Sequence, residues 1–204
     1  MQYESLNPLS TVVYKKNGTR CDFYEDKMVF KGNTIFYQEI DTINISLDST
    51  RYNYIITDFT ATIKFKLITG KSKVLRIYGL NFLGMGNRKS VIKRYLSLIP
   101  NICNITAVAV AERYLNLIRE GQTIYFGDME INSERAFYKI NKKKEIIVNK
   151  DNFSSYRISP QGLGDGSNFP IVIDEQGIPI HTSTFKTENL ILLPYLFTKL
   201  YGEQ

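Results

Sequence analysis

The chain has no tryptophan, one histidine and two cysteines among its 204 residues, and each scarcity closes off a class of chemistry. A lone histidine, His181, cannot build a multi-histidine metal site. General-base work at it needs a carboxylate supplied from elsewhere in the fold. Cys21 and Cys103 stand far apart and outside any metal-type spacing, so two buried free thiols are expected. The acidic residues show no metal-ligand spacing, and no Gly-x-Ser-x-Gly elbow or Gly-x-Gly-x-x-Gly unit occurs. Gly79 and Gly84 have the glycine spacing of a phosphate-binding loop, but Met85 stands where that loop requires lysine. The stretch Gly84–Ser90 reads instead as a flexible strand-to-helix connection. No catalytic residue, metal or cofactor is expected, and a non-enzymatic protein is the reading that follows.

Long apolar runs are also missing. The longest uncharged stretch, Tyr95–Ala111, is too short for a bilayer span and is interrupted by Pro100, Asn101 and Asn104. Met1–Ser10 carries Glu4 and has no apolar centre, so no signal peptide is read there. A cytoplasmic protein, at most peripheral to a membrane, is expected.

What the chain does have is apolar mass in short alternating runs. Hydrophobic residues make up 43% and aromatics 13%, enough for a packed core. Thr42–Asp48 places Ile43, Ile45 and Leu47 on one face, and Thr60–Leu67 does the same with Ala61, Ile63, Phe65 and Leu67. Such period-two runs mark antiparallel strands buried on one side. With Thr11–Lys16, Thr19–Lys31, Thr34–Tyr37 and Val74–Tyr78 they predict about seven short strands. The rhythm then turns helical: Val91, Tyr95 and Leu98 share a face in a helix ending near Pro100. A second helix, capped by Asn104 or Thr106, carries Val108, Ala111, Leu115 and Ile118 and stops at Gly121.

The order then repeats. Gln122–Phe126 and Met129–Asn132 flank a turn at Gly127-Asp128, and Ala136–Ile140, Glu145–Val148, Tyr156–Ser159, Pro170–Asp174 and Ile178–Thr184 follow. From about Asn189 a helical period returns in Leu190, Leu193, Phe197 and Leu200, with Pro194 near its start. The fold class expected is mainly β with α, a β-barrel or sandwich closed by a C-terminal helix and used twice. The boundaries are 11–101 for the first unit, 104–121 for a linking helix, and 122–204 for the second unit.

The strings RCDFYEDKMVFKGNTIFYQEIDTINI (Arg20–Ile45), EGQTIYFGDMEINSERAFYKI (Glu120–Ile140) and FKTENLILLPYLFTKL (Phe185–Leu200) resemble bacterial pleckstrin-homology-like (PH-like) domain proteins. So does the Gly-x-x-x-x-Phe-Gly pattern at Gly121, Phe126 and Gly127. The resemblance implies a tandem pair of binding or scaffolding modules. It departs from the phosphoinositide-binding members, because Lys15, Lys16 and Arg20 are the nearest approach to their basic first hairpin.

Charge points the same way. Twenty-six basic residues against 20 acidic give a formal charge of +6, which leans toward anionic partners. Candidate contacts with an anionic surface are Lys64 and Lys66 on a strand's outward face, Arg88, Lys89, Lys93 and Arg94 on the first helix, and the turn Lys142, Lys143 and Lys144. A protein partner or an anionic lipid surface is expected. Nucleic acid is disfavoured, since the Tyr and Phe residues mostly take inward strand positions instead of forming a stacking platform. The alternative is a small-molecule binder or enzyme with a pocket between the halves, using His181, Asp165 and Arg157.

Overall fold

In the computed structural model, which describes residues 7–14, 18–52, 55–80, 88–141, 144–158, 171–175, 178–181 and 189–202, the alternating runs become strands. Strands β1 (Ser10–Val13), β2 (Arg20–Phe23), β3 (Lys27–Phe30) and β4 (Asn33–Phe36) form an antiparallel meander. Lys31 and Gly32, both with positive φ, make the two-residue turn between β3 and β4, the geometry that matches strand twist. A single 3-10 turn at Tyr37–Glu39 leads into a second meander, β5 (Ile40–Tyr52), β6 (Ile55–Leu67) and β7 (Ser72–Leu80). Strands β5 and β6 run 13 residues each, longer than the apolar alternation alone marks. Their ladder continues through Thr50, Tyr52, Ile55 and Ile56, β-branched and aromatic residues suited to a pleated surface.

Where two separate helices are expected, the chain stays helical from Arg88 to Arg119. Helix α1 (Arg88–Asn101) passes through π-helical turns at Ile102–Ala107 into α2 (Val108–Arg119). Pro100 therefore lies inside a helix, where it lacks the N–H that would bond to Leu96 and does not end the element. The wider turns that follow absorb the misfit and re-aim the apolar face. Leu98 and Ile102 before them, and Val110, Ala111, Leu115 and Ile118 after them, are all buried. Asn104 and Thr106 do not cap a helix, because both lie within the π-helical turns. Gly121 behaves as expected. With φ +88° it closes α2 while its N–H bonds to Ile118 O and that of Gln122 to Leu117 O, the paired bonds of a Schellman cap.

The second half repeats the order. Strands β8 (Ile124–Phe126), β9 (Met129–Ile131), β10 (Arg135–Asn141) and β11 (Lys144–Asn149) form a four-stranded meander. Strands β12 (Phe153–Ile158), β13 (Ile171–Glu175) and β14 (Ile178–His181) form a three-stranded one. A 3-10 turn at Leu190–Leu192 then leads into α3 (Leu193–Phe197), with Pro194 in its first turn, and π-helical turns at Thr198–Gly202. The architecture is mainly β with helices, built of antiparallel sheets, and among the described residues none of them closes into a barrel. The buried apolar side chains make one cluster, from Tyr14, Cys21, Ile43, Phe65 and Leu75 across the α2 face to Phe126, Ile131, Val148, Leu193 and Phe197. Among the described residues, no helix is long and apolar enough to cross a membrane.

Candidate functional site

The register of the second meander fixes which side chains share its outward face. Lys64 stands between Asn44 on β5 and Val74 on β7, and Thr62 between Ser46 and Arg76. Thr60 faces Tyr78, and Lys66 faces Ser72. Inward partners of the same strands, Ala61, Ile63, Phe65, Leu75 and Ile77, are buried, so the residues between them point away from the core. Lys64, Val74, Arg76 and Tyr78 are exposed, Tyr78 by 53% and Val74 by 38%. Arg76 is a diagonal neighbour of Lys64, a relation that puts side-chain origins roughly 7–8 Å apart. An aliphatic and an aromatic side chain thus alternate with a cation along one strand, beside a second cation on the next.

Lys66 is less available, because its ammonium lies 3.5 Å from the Asp41 carboxylate. Among the described residues, neither Lys64 nor Arg76 has an ion-pair partner. One outward residue departs from expectation: Thr42 is buried, with no hydrogen-bond partner for its hydroxyl. The segment Leu190–Leu192 packs over that end of β5, which local alternation could not announce.

The other expected basic contacts lie on other elements or outside the described residues. Lys93 is exposed on α1, whereas Arg94 is folded back onto its own helix, donating to Ser90 O at 3.0 Å and Ser90 Oγ at 3.2 Å. Arg88 and Lys89 open α1, and Lys144 opens β11. Lys142 and Lys143 lie outside the described residues, as do Lys15, Lys16, Asp165 and the Gly84–Asn87 connection. Arg157 and His181 occupy one row of the third meander, each opposite Val172. Among the described residues, no group of His, Cys, Asp or Glu side chains is arranged to hold a metal ion. Comparison with family models, curated proteins and solved structures found no match.

Sequence reading missed the joint at the start of β5. This strand is an edge of its sheet, and α2 and the C-terminal segment bond to its outer side. Arg113 donates to Gln38 O at 2.9 Å and Ile40 O at 2.6 Å, and its guanidinium lies 4.9 Å from the Tyr114 ring centre. The Tyr114 hydroxyl donates to Asp41 O at 2.8 Å. Asn189, buried and left-handed with φ 60°, accepts from Ile43 N at 2.7 Å and donates to Asp41 O at 3.2 Å. Its amide stands in for a neighbouring strand, the pairing an edge otherwise lacks. Tyr195 on α3 donates to the Glu112 carboxylate on α2, tying the C-terminal helix to the same rod.

The thiols are not poised for nucleophilic work. Burial, then the Asp22 charge, pushes the fully buried Cys21 up to about 12. Cys103 is only partly buried, against expectation, yet burial still pushes it up to about 11. Burial also raises the Tyr37 phenol to about 12 while its hydroxyl donates to Tyr24 O at 3.0 Å. Each of these groups favours its neutral form in the folded state. The stability they confer is therefore full below their unfolded values, near 9 for the thiols and 10 for the phenol, and is lost as pH rises through the folded ones. Urea midpoints measured from pH 8 to 12 should fall steadily from about pH 9. A midpoint flat to pH 11 would contradict the assigned shifts.

Proposed function

We propose that the chain is a non-enzymatic binding or scaffolding protein built from two PH-like units that share one core. It engages an anionic partner, an acidic protein or an anionic membrane surface, through the outward face of β5–β7. The observation that carries this reading is the uncovered row Val74, Arg76 and Tyr78 beside Lys64. Exposed aliphatic and aromatic groups next to unpaired cations suit contact with a partner that supplies both apolar surface and negative charge. The repeated order of four strands, three strands and a helix supports the PH-like part of the reading.

Flotation with phosphatidylserine vesicles tests the membrane form. Each basic residue near such a surface contributes about 1 kcal/mol, so K64A/R76A should weaken vesicle binding roughly thirtyfold at low salt. Absence of flotation at low and physiological salt removes the membrane form and leaves a protein partner.

The second reading, a small-molecule-binding or enzyme pocket between the halves, rests on one placement that lies within the second half. Arg157 and His181 flank Val172 in a single cross-strand row, two strand spacings or about 9–10 Å apart. A thermal-shift screen of small carboxylates and phosphates should then find a ligand whose stabilisation disappears in H181A and R157A. No stabilising compound would count against it.

A further inference from the structure

The two edges of the β5–β6–β7 sheet are treated differently. The outer side of β5 is bonded by Asn189, Tyr114 and Arg113. Strand β7, among the described residues, has a strand partner on one side only. It is nine residues long, more than the five or six that a stable strand pairing uses. Its inward residues Leu75 and Ile77 are buried in the core and anchor the strand there. An open, rigid strand edge is a template for another extended chain.

We propose that β7 takes an acidic, extended polypeptide segment as an added strand, which rests on the binding-module reading above and names its partner. Backbone pairing along β7 supplies the attachment, and the side chains beside it supply the selection. A carboxylate opposite Arg76 pairs with it across the new ladder, with the Lys64 charge one strand further in, while apolar residues two positions to either side meet Val74 and Tyr78. The fitting segment therefore carries, on one face, an acidic residue with a β-branched or aliphatic residue two positions to either side. A membrane is the weaker fit. Among the described residues of this face Lys64 and Arg76 are the cations without an ion pair, Lys66 is held by Asp41, and Arg94 on α1 is engaged by Ser90. Two cations on a pleated face attract lipid headgroups weakly, whereas strand addition needs only the edge.

The test uses the full chain and a fluorescein-labelled octapeptide, Thr-Val-Thr-Glu-Thr-Val-Thr-Thr, which sets Val, Glu and Val on one face of an extended strand. Anisotropy should show saturable binding at low salt, weakened at least tenfold by K64E/R76E and unaffected by K150E on the exposed turn between β11 and β12. The same peptide N-methylated at every second residue should not bind the unmodified protein, since it cannot complete a ladder. Circular dichroism checks that the variants remain folded. The proposal is overturned if the peptide fails to bind, if K64E/R76E leaves binding unchanged, or if N-methylation has no effect. Phosphatidylserine vesicles that bind through Lys64 and Arg76 while the peptide does not would overturn strand addition and keep the anionic-partner reading. Failure of both probes overturns both.

Discussion

Replacing Asn189 with alanine should destabilise the fold by about 2–4 kcal/mol, from an unpaired buried N–H and a strained left-handed backbone together. The first cost arises because Ile43 N has Asn189 Oδ1 as its acceptor at 2.7 Å, in a site that is 1% exposed at Asn189. No water can replace the amide without entering the joint between β5 and the C-terminal segment. The second cost follows from φ 60° and ψ 21°, a conformation asparagine tolerates and alanine does not. The two causes separate by substitution. N189G keeps the backbone relaxed and should recover about 1 kcal/mol relative to N189A. N189D keeps an acceptor for Ile43 but loses the donor to Asp41 O, and it places a carboxylate against a carbonyl. It should therefore be at least as damaging as glycine. Urea unfolding monitored by tyrosine fluorescence measures all three. A loss under about 0.5 kcal/mol in N189A, the range of ordinary surface substitutions, would mean that the amide does not hold the β5 edge.

Arg113, Tyr114 and Asn189 act on four backbone groups between Gln38 and Ile43, the carbonyls of Gln38, Ile40 and Asp41 and the amide of Ile43. This explains how a strand at the margin of its sheet avoids open pairing sites at that end. It also ties the C-terminal helical segment to the first half: Asn189 immediately precedes that segment, and Tyr195 bonds to Glu112. The opposite margin, at β7, has no such device among the described residues, and its exposed side chains are the ones proposed to meet a partner.

Local rhythm made the strands legible, because an antiparallel strand with one buried face writes its orientation into every second residue. Ala61, Ile63 and Phe65 are buried and Lys64 is exposed, as alternation requires. Gly121 and Pro194 were legible for the same reason, since left-handed and first-turn positions admit few residue types. Pro100 misleads. It ordinarily stops a helix, but apolar positions on both sides here gain more from burial than the missing bond costs, and the turns widen instead. Strand β7 is ambiguous by itself, because Val74-Leu75-Arg76-Ile77-Tyr78 offers apolar residues to both faces. Only pairing with Thr62 and Lys64 settles which are outward. Thus Lys64 and Lys66 could be named from sequence as surface cations, while Arg76 could not be joined to them. The contact of Asn189 with Ile43 spans 146 positions and has no periodic signature at all.

Phe197→Ala tests the packing of the C-terminal helix and the unity of the core at once. The ring is fully buried and meets Phe153 edge-on at 6.2 Å and Tyr201 at 5.4 Å. Truncation should cost about 3–5 kcal/mol, the range for removing a buried aromatic and leaving its cavity partly unfilled. Phe153, which is only partly buried, should cost less when truncated, and the double variant should lose less than the sum because the two rings share a contact. The shape of the transition carries the second result. Phe197 belongs to the same buried cluster as Phe65 and Leu75 in the first half, bridged by Val110, Leu115 and Ile118 of α2. One contiguous core should unfold cooperatively, so near- and far-ultraviolet circular dichroism should report a single coincident urea transition moved to lower midpoint with unchanged slope. Two separated transitions, with the first half surviving past the loss of the second, would show that the halves fold independently. The strand–helix repeat would then mark two autonomous domains, and α2 would be a linker between them instead of the centre of one core.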